Sequence, residues 1–140
     1  MQRTALLALF AIAYIAIDFA YVILSNKTYG PYVKAISGKE PNLKRVWLQA
    51  ILAYTTMAIG WVFICLPLAA SYLKNKDTTA WTRFLAGAAA GALYGFVLYG
   101  VFNFTTGSMF EAWSWPIMIR DVTWGFSSLA VITGVAMIYL

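Results

Sequence analysis

The chain has 140 residues, of which 62% are hydrophobic and only 11% charged, against roughly 25% charged in a soluble globular domain. That balance excludes a water-soluble fold, because so small a body cannot hide so much apolar surface. Ten bases against five acids give a formal net charge of +5, but the bases sit in short segments between apolar runs, where Lys and Arg meet anionic headgroups rather than nucleic acid.

Four apolar runs follow one another. The first goes from Thr4 to about Leu24 and is broken only by Asp18. The second, Val46 to Leu73, and the third, Phe84 to Phe110, hold no charge, and the fourth runs from Val122 to Leu140. A spanning helix needs about 20 apolar residues at 1.5 Å rise each. The sequence therefore predicts an all-α polytopic membrane protein, a four-transmembrane-helix bundle in one domain, with spans over about 4–24, 46–70, 84–104 and 118–140. The first run is longer than a signal-peptide core of about 7–15 residues, and no cleavage site follows it, so a retained first span is expected.

The connections differ in kind. Loop one, Ser25 to Arg45, carries Lys27, Lys34, Lys39, Lys44 and Arg45, with Gly30, Pro31 and Pro41 as helix breakers. Its middle, Tyr32 to Ile36, suits a short amphipathic turn in the interface. Loop two, Ser71 to Arg83, carries Lys74, Lys76 and Arg83. Loop three, Asn103 to Pro116, has no base; Phe104, Phe110, Trp113 and Trp115 read as an aromatic belt at headgroup level. With four spans both termini share a side. Four bases lie there against five or six on the loop-one side, a margin that leans to a cytoplasmic loop one without fixing the orientation. Asn26-Lys27-Thr28 and Asn103-Phe104-Thr105 match the glycosylation pattern.

Within the spans, Gly87, Gly91 and Gly95 recur every four residues, followed by Gly100. Glycines so spaced line one helix face and let a second backbone approach closely in lipid. The partner is either another span of the chain or another copy. Asp18 lies about six residues from the end of span one, roughly 9 Å below the loop-one surface. An ionised acid at that depth costs on the order of 2–3 kcal/mol. It must pair, protonate or meet water. Tyr99 and Asn103 end span three, and Arg120 and Asp121 open span four, all on that same side. Asp18, Tyr99, Asn103, Arg120 and Asp121 are thus expected to form a polar intramembrane cluster, with Arg120 as the counter-ion of Asp18 because its planar fork suits a carboxylate. Pro67 bends span two.

The sequence holds no His and one cysteine, Cys65. That removes the commonest general base, any Cys/His metal site and any intrachain disulfide. No lysine lies inside a span, which argues against a Schiff-base cofactor.

Ala16-Ile17-Asp18-Phe19-Ala20-Tyr21, then Tyr29-Gly30, then the third-span glycines, resemble an uncharacterised family of small predicted membrane proteins, domain of unknown function 2177. That family's hallmark is a tyrosine-aspartate-leucine-threonine-asparagine motif after a glycine-rich span, with a second aspartate eighteen residues on and a tryptophan-glycine step shortly after it. The corresponding stretch here is Phe102-Asn103-Phe104-Thr105-Thr106, and Trp113, Asp121, Trp124 and Gly125 fall in step with the rest. The motif aspartate is Asn103 and its asparagine is Thr106, so one acid is missing. The resemblance implies the four-span fold and these polar positions; it implies no activity.

The expected function is that of a small integral membrane protein without enzymatic activity. It would be a structural or accessory subunit of a larger membrane assembly, such as a membrane complex or a virion membrane. The bilayer, other membrane subunits or copies of itself would be its partners, with no nucleic acid, cofactor or metal. The alternative is a small oligomeric proton-coupled carrier or channel that uses the polar cluster around Asp18 and Asp121.

Overall fold

The computed structural model describes residues 2–40, 42–74 and 78–140. Pro41 and Lys76, read above as a breaker and a loop base, lie outside the described residues. The elements are α1 (Gln2–Leu24), α2 (Asn26–Ser37), α3 (Leu43–Gly60), a single π-helical turn (Trp61–Cys65), α4 (Leu66–Ser71), α5 (Ala80–Met109) and α6 (Trp115–Tyr139). Among the described residues, four helices are long and apolar enough to cross a membrane: Arg3–Leu24, Val46–Ser71, Ala80–Met109 and Trp115–Tyr139. Their outer faces carry Leu9, Ile12, Phe63, Val101 and Val131, each more than half exposed. Such a surface is stable only where the surrounding solvent is hydrocarbon.

α5 and α6 form the closest pair, and glycine is the reason. A β-carbon built on Gly87 would lie 2.5 Å from the Thr133 carbonyl oxygen and 2.9 Å from the Gly134 Cα. Built on Gly91 or Gly95, it would strike the carbonyls of Leu129 and Gly125. At all three positions the obstacle is backbone, which cannot turn aside. Gly100 behaves differently from the face expected of it: its β-carbon would meet only the Phe104 ring of the same helix, at 3.4 Å.

Tyr14, Trp61, Cys65, Ala90, Leu129 and Ala136 form the core between α1, the π turn, α5 and α6. Inside it Trp61 Nε1 donates to Thr133 Oγ1 at 2.9 Å, so neither buried polar atom is left unpaired. The second span changes character at the π turn. Leu66 N–H reaches back to Trp61 O, one residue further than an α-helix allows, and Pro67 follows in the first turn of α4. Below this break α4 packs on α5; above it α3 touches α1 and stands away from α5. Tyr94 bridges that gap, donating to Met57 O at 2.9 Å, and Gly60 gives its hydroxyl the room.

Three expectations are corrected. Loop one is largely helical: α2 covers Asn26–Ser37 with Pro31 inside it. Tyr29, Tyr32, Val33 and Ile36, at helical spacing, lie on Trp113, Ile117 and Met118, while Lys27 and Lys34 point outwards. Gly38 ends the helix with φ 70° and donates to Lys34 O, a conformation that favours glycine. Nearby, the exposed Lys34–Glu40 pair, 2.7 Å apart, raises the ammonium's pKa through its hydrogen bond to the carboxylate. Second, the third helix starts at Ala80, capped by Thr79 Oγ1 accepting from Thr82 N at 3.1 Å, and runs on to Met109. Thr106 and Ser108 bond back to the carbonyls of Phe102 and Thr105, both at 2.7 Å, so this polar stretch satisfies itself without leaving the helix. The true connection is short, and α6 begins at Trp115 with Pro116 in its first turn, where a missing N–H costs nothing. Third, Trp113 is buried, 5% exposed, rather than part of a headgroup belt.

Candidate functional site

All four spans meet at Asp18. The carboxylate on α1 is 5% exposed. It accepts a short hydrogen bond from Tyr99 of α5 and one from Trp124 Nε1 of α6 at 2.9 Å, both on Oδ1. Tyr54 of α3 donates to Oδ2 at 3.1 Å. Tyr99 in turn lies 3.3 Å from the Tyr14 hydroxyl. Since Tyr99 gives its proton to Asp18, Tyr14 must be the donor there. A tyrosine pair therefore ends on an aspartate.

Asp121 repeats the arrangement beside α2. It is 8% exposed and accepts from Tyr29 of α2 at 2.7 Å and from Asn103 Nδ2 at 2.6 Å. Tyr21 lies 2.6 Å from the Tyr29 hydroxyl and by the same logic donates to it. Asn103, fully buried, also donates to Tyr99 O at 2.9 Å and accepts from Trp113 Nε1 at 3.0 Å. It thus uses donor and acceptor ends at once and links the Asp121 group to Tyr99, the ligand of Asp18. Tyr21 stacks on Trp124 with ring centroids 4.1 Å apart and planes 7° from parallel, closing the two groups into one network. Burial, and then the bonds to Tyr21 and Asp121, push the Tyr29 phenol far above its ordinary value of 10.0.

Of the five residues expected to converge, Asp18, Tyr99, Asn103 and Asp121 lie in this network. Arg120 does not. Its side chain is exposed and bonds Thr28 Oγ1 at 3.1 Å and Ser25 Oγ at 3.4 Å. On a helix, residues 120 and 121 point about 100° apart, so Asp121 facing inwards turns Arg120 outwards. Among the described residues, the buried acids are held by neutral donors only, and every hydrogen bond on either carboxylate is one it accepts. Burial also removes Asn103 from the glycosylation pattern, whereas Asn26 is exposed.

The network borders a cavity of about 530 Å³ between α1, α2, α3 and α5. Asp18 and Asp121 line it together with Tyr29, Tyr54, Phe102 and Trp113. Ala50 and Ala53 on α3 leave the space that larger side chains would fill. Residues 4–138 match the family model described as Predicted membrane protein (DUF2177). The chain belongs to that family. It is accordingly an integral, multi-pass membrane protein. No curated protein and no solved structure matches it. Sequence reasoning missed Tyr14 and Tyr54, and it named Tyr21 and Tyr29 only through the family resemblance, without a donor role. Among the DUF2177 positions carried over, Trp113 and Trp124 are both donors of this network, a role that only the three-dimensional arrangement assigns.

Proposed function

We propose that this DUF2177 protein is a small proton-coupled membrane carrier, and that the cavity beside Asp18 and Asp121 is its solute site. The observation that carries the reading is the coincidence of two buried carboxylates, neither paired with a cation among the described residues, with a cavity of about 530 Å³. A purely structural hub needs the hydrogen bonds and not the space. Solute sites are typically about 300–1,000 Å³, and intramembrane acids facing such a space usually mark ion or proton pathways. Protonation of either acid would alter the charge that the solute meets. The π turn and Pro67 give α3 a place to pivot towards or away from α5. The site lies within one chain, so the reading requires no second copy.

The accessory-subunit reading ranks second. The glycine face and the aromatic surfaces would serve as its contacts, and Gly87, Gly91 and Gly95 are already covered by α6 of the same chain. In the carrier reading the site binds and releases its solute; no bond is made or broken there.

The test is reconstitution into liposomes loaded with a pH-sensitive dye, challenged with a panel of amines, organic cations, sugars and amino acids. At least one class should drive proton movement in the native protein and fail to do so in Asp18→Asn. A panel without any protein-dependent proton movement refutes the carrier.

A further inference from the structure

The cavity wall says what kind of solute it takes. Among the described residues, two acids and no Lys or Arg line it. The nearest base on α6, Arg120, is turned out to Ser25 and Thr28. An anion would face two carboxylates in a medium of low dielectric, where like charges repel strongly. An uncharged solute would leave both acids without a counter-charge. A small inorganic cation needs a shell of oxygen ligands. Here Asp18 already accepts three hydrogen bonds and Asp121 two, the phenol oxygens of Tyr21, Tyr29, Tyr54 and Tyr99 are themselves engaged in hydrogen bonds, and most of the remaining wall is carbon.

What the wall does offer is aromatic rings. Tyr21, Tyr29, Tyr54, Tyr99, Phe102 and Trp113 surround the space. Four of the tyrosines and the tryptophan are anchored through their polar ends, so their rings are held in place. Ring faces attract a cation, most strongly when it is desolvated. A diffuse organic cation loses little hydration on entering, and its apolar groups bury against Ala50, Ala53, Met57 and Leu98.

We infer that the cavity binds a hydrophobic organic cation, a substituted ammonium or phosphonium, with its charge turned to Asp18 and Asp121 and its apolar groups on the aromatic wall. This rests on the carrier reading for its location and adds the class of solute.

The experiment uses the full chain in lipid nanodiscs and two probes of one shape and opposite charge, tetraphenylphosphonium and tetraphenylborate. Binding is measured by equilibrium dialysis, with protein-free nanodiscs subtracted. The phosphonium should bind at least about tenfold more tightly than the borate, and Asp18→Asn and Asp121→Asn should each weaken it by about tenfold. Equal binding of the two probes by the native protein overturns the inference whether or not the variants fold. So does a folded Asp18→Asn/Asp121→Asn double variant that still binds phosphonium as the native chain does. Adding the phosphonium to the dye-loaded liposomes separates the two proposals. Charge-selective binding without proton movement upholds the solute class and refutes the carrier. Proton movement driven only by uncharged solutes upholds the carrier and refutes the class.

Discussion

Replacing Gly95 by alanine is the sharpest probe of the helix pair that supports the site. The added β-carbon would lie 2.7 Å from the Gly125 carbonyl carbon and closer still to its oxygen. Ordinary contact begins near 3.4 Å, so clearing the carbonyl carbon alone requires α5 and α6 to part by about 0.7 Å, and clearing the nearer oxygen requires more. A gap of that size forfeits between a quarter and half of each neighbouring dispersion contact, and overpacking of this kind costs about 1–3 kcal/mol. Alanine's better helix propensity returns about 0.5–1 kcal/mol. The net expectation is a loss of about 1–2 kcal/mol, a five- to thirtyfold change in the unfolding equilibrium. Gly100→Ala is the internal control. It gains the same propensity and meets only the Phe104 ring at ordinary contact distance, so it should be neutral or stabilising by up to about 0.5 kcal/mol. Reversible unfolding in mixed micelles, followed by helical circular dichroism, reads both. If Gly95→Ala is as stable as the native chain, or if the two variants shift alike, the close backbone contact is not there.

Further outcomes follow from the polar network. Tyr99→Phe removes the donor to Asp18 and the acceptor for Tyr14, and should cost about 2–3 kcal/mol, whereas Tyr54→Phe removes one of three donors and should cost about 1 kcal/mol; the same unfolding assay ranks them. Arg120→Ala should cost no more than about 1 kcal/mol and leave phosphonium binding unaltered, since the guanidinium meets the Thr28 hydroxyl and, at 3.4 Å, the buried Ser25 hydroxyl, neither of which lines the cavity. Loss of binding on that change would mean that Arg120 reaches the cavity after all. The Tyr29 phenol is held protonated in the fold, so its contribution to stability is complete below the unfolded value near 10.0 and declines as pH climbs above it. Ultraviolet titration of the native protein against Tyr29→Phe should therefore show no Tyr29 ionisation between pH 9 and 11, about the range in which unperturbed tyrosines titrate.

The spans were legible because lipid imposes so coarse a demand: about 20 apolar residues, repeated four times. The glycine spacing was legible as a close approach, though Gly100 shares the composition of that face without sharing its contact. The connections were misread for local reasons. Pro31 and Gly30 look like breakers, yet the apolar positions of Tyr29, Tyr32, Val33 and Ile36 outweigh one absent N–H on an exposed side. The polar run Asn103 to Ser108 looks like a loop, yet its hydroxyls bond to the preceding turn and its asparagine is buried. Aromatic donors carry the least signal of all. Tyr54 reads as one more interfacial ring until Asp18 is seen facing it from another helix.

The misplaced counter-ion teaches the most about the site. Charge pairing suggested that a buried acid would take the nearest arginine, but pairing Asp18 with Arg120 would require α6 to turn Asp121 outwards, because adjacent helical residues cannot share a face. The fold instead buries both acids and satisfies them with phenol, indole and amide groups, which lend hydrogen bonds without charge. Such groups offset part of the desolvation cost and none of the net charge. A site built this way keeps its negative potential for whatever enters the space beside it. Installing a fixed cation there tests that directly. Ala53→Lys puts an ammonium on the α3 wall of the cavity that Asp18 and Asp121 also line. It should abolish phosphonium binding while preserving the fold, since the two acids receive it. Unchanged binding would show that the charge of Asp18 and Asp121 is not what the solute feels.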